Sequence, residues 1–187
     1  MVNRFIKEFF QSFYAPRSLY SELSKSQENS SWLCVLIYSI IYILGSLWLY
    51  FHGFTPFVEP WIRVSKDIYY LVQAFYILPL VILMWILGTG VLHLLCRQWG
   101  GKGSFEVLFS MTGYSLWAPW YLLIIADCIH STPDWLYNLV LLTSIILILI
   151  GTSVAVLVEE KVNLIVAFFS SIISLSSIGL ILFTYIR

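Results

Sequence analysis

The sequence predicts an all-α polytopic membrane bundle of about five transmembrane helices preceded by short amphipathic N-terminal helices. Composition, long apolar stretches and interfacial aromatics each point there. Of 187 residues, 60% are apolar, 18% aromatic and only 11% charged, less than half the charged share of an ordinary soluble domain. A water-soluble surface cannot be built from so few charges. Net charge is zero and no block of like charges occurs, so nothing in the totals points to nucleic acid.

Residues 1–30 read as cytoplasmic or interfacial amphipathic helices. Val2, Phe5, Ile6, Phe9, Phe10 and Phe13 recur at three- and four-residue steps, with Arg4, Lys7, Glu8 and Gln11 expected on the opposite face. Such a helix can lie in the membrane interface or dock a partner protein. Pro16 suits the first turn of a second short helix carrying Leu19, Tyr20 and Leu23. No apolar run followed by a small-residue cleavage site opens the chain, so no cleavable signal peptide is expected.

Residues 31–187 are expected to form the five-span region. A span needs roughly 20 apolar residues, and the candidates are about 32–54, 68–95, 105–129, 135–158 and 163–186. The third is the weakest, with Glu106 at its start and Gly113, Ser115 and Pro119 inside. Glu159, Glu160 and Lys161 separate the last two, which predicts a tight helical hairpin. Trp32, Trp48, Trp61, Trp99, Trp120 and Trp135 fall near proposed ends, where amphipathic rings anchor at the interface. Five spans place Arg4, Lys7, Arg17, Lys25, Arg97, Lys102 and Lys161 on one side and Arg63, Lys66 and Arg187 on the other. Positive residues favour the cytoplasm, so the N-terminus is expected inside and the C-terminus outside.

Helices in lipid associate through small residues and cross-helix polar bonds. Asn163, Ala167, Ser170, Ser174 and Ser177 share one face of the fifth span, Ser144, Gly151 and Ala155 one face of the fourth, and Ser39 and Ser46 one face of the first. Pro79 and Pro119 each remove an intrahelical bond at a depth of roughly 15 Å. Adjacent kinks can open a cavity, with Gln73, Ser115, Ser170, Ser174 and Ser177 as candidate lining; packing alone is the alternative for the same residues.

Ionisable residues in spans are functional candidates. Asp127 and His130 share a helical face, and His52 and Glu59 are expected on the same side of the membrane; these are weak metal candidates without an accompanying metal motif. Cys34, Cys96 and Cys128 lack paired or metal-like spacing and read as small buried residues. Gly113-Tyr114-Ser115 and Gly151-Thr152-Ser153 begin a serine-hydrolase elbow, but Trp117 and Ala155 stand where its second glycine belongs. His93 lies about 10 Å from the depth of Ser115, too far for a base. No enzyme activity and no cofactor are expected.

The run Gly100-Gly101-Lys102-Gly103-Ser104-Phe105-Glu106-Val107-Leu108, followed by Gly113-Tyr114-Ser115-Leu116-Trp117-Ala118-Pro119, resembles the signature of the Yip family, the Ypt/Rab GTPase-interacting membrane proteins and their prokaryotic relatives. Gly100, Gly101, Gly103, Phe105, Gly113, Tyr114 and Pro119 carry the motif. The helical region at Pro16 to Leu23, Pro79, and His93 before the turn fit the family's order of features. Glycines at a turn also permit positive φ and a sharp reversal, and Lys102 there meets anionic headgroups. The resemblance implies five spans, a cytoplasmic N-terminus and interaction rather than catalysis. Two departures from eukaryotic members argue against a GTPase partner: no long N-terminal extension, and Ile77-Leu78-Pro79-Leu80 where they carry a DLYGP-like element. What remains is a compact bacterial-type inner-membrane scaffold whose partners are the lipid bilayer and other membrane proteins or a second copy. A small-solute transporter or channel at the kinked spans is the alternative.

Overall fold

The computed structural model describes residues 2–25, 30–55, 64–122 and 134–186. The described elements are helical. They are α1 (Val2–Tyr14), α2 (Pro16–Leu23), α3 (Ser31–Phe51), a 3₁₀ turn at Lys66–Ile68 leading into α4 (Tyr69–Gln98), α5 (Phe105–Trp117), α6 (Asp134–Glu159) and α7 (Leu164–Ile186). Among the described residues, three helical stretches are long and apolar enough to cross a membrane: Ser31–Phe51, Lys66–Gln98 and Trp135–Glu159.

Local chemistry explains the ends. Ser104 caps α5, its hydroxyl accepting from Val107 N at 3.2 Å, and Asn163 caps α7 by accepting from Val166 N at 2.8 Å. Both satisfy amides that the helix itself leaves open. α4 stops at Gly100, whose φ of +83° is a left-handed conformation that other residues avoid. Gly101 N then donates to Cys96 O at 2.8 Å.

The third segment departs from the expected single helix over 105–129. α5 ends at Trp117, the chain turns at Ala118–Pro119, and it is helical again at 120–122. Proline supplies no amide to the Ser115 carbonyl, and the regular helix ends two residues before it. The Pro119 carbonyl accepts from Leu122 N at 3.1 Å and from Ser144 Oγ at 3.2 Å, which ties the turn to α6. Pro79 lies inside an uninterrupted α4.

α4 packs along α3, α5 and α7, and α6 packs along α5 and α7. Polar side chains join these helices from inside. Ser46 Oγ donates to Gln73 Oε1 at 3.1 Å, Trp85 Nε1 to the Phe109 carbonyl at 3.0 Å, and Ser174 Oγ to the Gly88 carbonyl at 2.9 Å. Thr89 and Thr112 hydroxyls meet at 2.6 Å. Bonds of this kind average only about 0.6 kcal/mol in a membrane, so the bundle depends on several of them together with close packing.

α1 is rotated from the orientation the periodicity suggests, while α2 buries the residues expected of it. Glu8 and Gln11, expected on an outer polar face, are buried, whereas Ile6, Phe10 and Tyr14 are exposed. Phe5, Phe9 and Phe13 pack partly against the core. The buried partners available to the Glu8 carboxylate decide the orientation. In α2, Leu19, Tyr20 and Leu23 are buried, and α2 lies chiefly along α6.

Candidate functional site

The glycine turn between α4 and α5 is held by two consecutive acids at the end of α6. Gly103 N donates to Glu160 Oε2 at 2.9 Å, Ser104 N donates to Glu159 Oε1 at 2.8 Å, and Lys102 N donates to the Glu160 carbonyl at 3.1 Å. Glu160 is fully buried, and its Oε1 lies 2.5 Å from His93 Nδ1. When Nδ1 carries the proton, His93 Nε2 is left to accept from Arg97 Nε at 3.5 Å. Arg97 also donates to the Gly103 carbonyl at 2.9 Å. Ser24 Oγ, just after α2, donates to Glu159 Oε2 at 3.1 Å. One carboxylate pair thus ties α2, α4, α5 and α6 together.

This grip explains why glycines stand here. A Cβ at Gly101 would lie 2.6 Å from Glu160 Oε2 and 2.8 Å from the Cys96 carbonyl oxygen, and one at Gly103 would lie 2.8 Å from Glu159 O. Either methyl would push the acids away from the amides they accept from. Phe105 packs edge-on to His93 with centroids 5.8 Å apart and stacks on Phe109 at 5.7 Å, which in turn stacks on Trp85 at 3.9 Å. Gly113 makes room for Trp85, whose Cζ2 would be 2.7 Å from an added Cβ.

Tyr114 belongs to a second node. Its hydroxyl donates to Glu8 Oε2 at 2.7 Å, Ser30 Oγ donates to the same oxygen, and Arg4 Nε donates to Glu8 Oε1 at 2.6 Å. Burial by itself pushes the Glu8 carboxyl upward, but the bonds from Ser30, Arg4 and Tyr114 outweigh it, and the carboxyl sits below its ordinary range.

The candidate polar lining does not gather at one place. Gln73 bonds Ser46 and Tyr42 across α3 and α4. Ser170 donates to the Val166 carbonyl and accepts from Cys96 Sγ, and Ser177 donates to the Ile173 carbonyl. Pro79 is exposed on α4, whereas Pro119 is buried. Ser115 and Pro119 do share a cavity of about 20 Å³, but its other walls are Ser12, Phe13, Pro16, Tyr114, Leu147, Ile150 and Gly151. That is room for one water. The cavity therefore opens between the N-terminal helices and α6, away from Pro79. The buried hydroxyls of Tyr20 and Ser115 bond no third group among the described residues.

His52 is exposed, with Nδ1 2.8 Å from the Trp48 carbonyl oxygen. Glu59, Asp127 and His130 lie outside the described residues, as does Cys128; Cys34 and Cys96 are free and buried. Among the described residues, no three His, Cys, Asp or Glu side chains are grouped to hold a metal. Sequence reasoning missed Glu8, Ser30, Glu159 and Glu160 as site residues. Two adjacent acids in a short turn within an otherwise apolar half were the one available signal.

Comparison with curated proteins and with solved structures finds no match. The family model described as Yip1 domain matches residues 10–183. That match takes in α2, the glycine turn, the Tyr114 segment and both helices of the C-terminal hairpin, and so the chain belongs to the Yip1 domain family.

Proposed function

We propose that this is a non-enzymatic integral membrane protein of the Yip type that serves as a scaffold in membrane organisation, presenting the glycine turn to a partner. In this reading it crosses a bacterial inner membrane five times, with the N-terminus and the turn in the cytoplasm and the C-terminus outside. One observation carries the reading: the turn is braced from within by Glu159, Glu160 and Arg97, while Trp99, Lys102 and Phe105 point outward. Trp99 is 47% exposed and Phe105 39%. Aromatic rings and a cation on a preorganised turn form a contact surface whose ordering cost has already been met by the fold. The buried hydroxyls and amides of α3, α4, α6 and α7 are largely engaged in internal bonds, which favours packing over transport.

Photo-crosslinking from position 102 in native membranes tests this. The expected result is one reproducible membrane-protein partner, or a second copy, whose capture is lost on Trp99→Ala. Adducts with lipid alone, together with solute flux in proteoliposomes that Ser115→Val reduces, would replace the scaffold reading with the solute-pathway one.

A further inference from the structure

The corner between α1 and α2 sits deeper than a surface helix would reach. Ser12, Phe13 and Pro16 share a cavity with Leu147, Ile150 and Gly151 of α6. Those three residues precede Glu159, the last residue of α6, by 8 to 12 positions, or roughly 12–18 Å at ~1.5 Å per residue. Half of a hydrocarbon core is about 15 Å. The corner is therefore level with the middle of a helix long enough to cross one. The far end of α2 remains at the end of α6, where Ser24 meets Glu159 at 3.1 Å. α1 also stays deep along its length: the Phe5 ring lies 6.4 Å from Tyr114 and the Phe9 ring 5.2 Å from Tyr121, well inside the third segment.

What α1 turns outward is an apolar stripe flanked by the exposed Asn3 and Lys7. Ile6 is 47% exposed, Phe10 60% and Tyr14 74%, at successive steps of four. Ile150, itself 50% exposed on α6, lines the cavity beside Phe13 and Pro16, so the outward surfaces of α1 and α6 adjoin. Of the charges here, Arg4 pairs with Glu8 at 2.6 Å, while Lys7, Arg17 and Glu22 are exposed, and in lipid each costs free energy that snorkelling of the long stems and local thinning of the bilayer reduce.

We infer that α1 and α2 form a re-entrant layer embedded in the cytoplasmic leaflet, with Ile6, Phe10 and Tyr14 against lipid acyl chains. This rests on reading α6 as a membrane span. Both helices satisfy their own backbone bonds, as hydrocarbon requires, and Glu8 and Gln11 are buried against the bundle. The exposed stripe is then part of the lipid-facing surface rather than a docking face for a soluble protein.

The test is thiol labelling of the full chain in lipid vesicles opened to reagent on both sides, with Cys128→Ala and the buried Cys34 and Cys96 as background. Phe10→Cys, Ile6→Cys, Ile146→Cys on α6 and Lys102→Cys at the turn are each treated with a charged, water-soluble maleimide. A thiol in hydrocarbon forms little thiolate and meets little reagent. Phe10→Cys and Ile6→Cys are expected to react at least about tenfold more slowly than Lys102→Cys, as Ile146→Cys does. Fast labelling at 6 and 10 with Ile146→Cys protected would overturn the embedded layer alone. Fast labelling at all four sites would overturn the span beneath it as well. Protection at 6 and 10 that vanishes on dilution into excess lipid means a second copy covers the stripe, which also overturns the inference.

Discussion

A methyl group added at Gly101 would land 2.6 Å from a buried carboxylate oxygen and 2.8 Å from the Cys96 carbonyl, neither of which can retreat without losing a bond. Gly100 is a glycine for another reason. Nothing lies within 4 Å of its added Cβ, but its φ is +83°. Gly45 has open space and no such φ. The three positions therefore separate crowding, backbone strain and neither. Gly101→Ala is expected to cost about 1–3 kcal/mol through overpacking, Gly100→Ala about 1–2 kcal/mol through its left-handed backbone, and Gly45→Ala close to nothing. Unfolding midpoints in mixed detergent micelles give the ranking; equal losses at all three would show that the turn is not gripped as described. The glycine run was legible as a sharp turn from its residues alone. That Gly101 and Gly103 serve contact rather than conformation was not, because the acids they touch lie more than fifty residues away.

At the scale of the element, α1 illustrates what periodicity conveys and what it omits. Recurrence at three and four residues identifies a helix with unlike faces but does not say which face turns inward. The answer depends on Ser30 and Tyr114, which are 22 and 106 positions from Glu8. Similarly, Pro119 was legible as a helix-disturbing residue, whereas its difference from Pro79, which lies inside an unbroken helix, was not. The docking of α1 also has a pH signature. The Glu8 carboxyl titrates below its ordinary value in the folded chain, so its contribution is present above the unfolded value of about 4.3 and is lost as pH falls through the lower, folded one. Proteolytic release of the N-terminal segment is therefore expected to rise as pH drops below the carboxylate range, with Glu8→Gln releasing more at neutral pH and losing the dependence. A release rate independent of pH in the parent chain would remove Glu8 from this role.

Across the whole molecule, the boundaries of the long helices were legible because lipid demands continuous apolar runs, and α4, α6 and α7 end within a few residues of the expected limits. How the helices are fastened was not, since a bundle in lipid is joined by a few polar contacts between distant positions. Two such fastenings sit at opposite ends of α4: Gln73 with Ser46, and His93 with Glu160. Twenty residues of helix, roughly 30 Å, separate them. If they are independent, losses at the two ends add, whereas losses within one end do not. His93→Ala and Glu160→Ala share a buried contact 2.5 Å long, and removing either already leaves the other without its partner. Their combined cost is expected to fall short of the sum by about 0.5–3 kcal/mol. His93→Ala with Ser46→Ala should instead add to within about 0.5 kcal/mol. The same micelle titration measures both cycles. Additivity at His93 and Glu160 would mean the acidic clasp does not hold the turn to the C-terminal hairpin, and the bracing that presents Trp99 and Lys102 to a partner would have to come from packing alone.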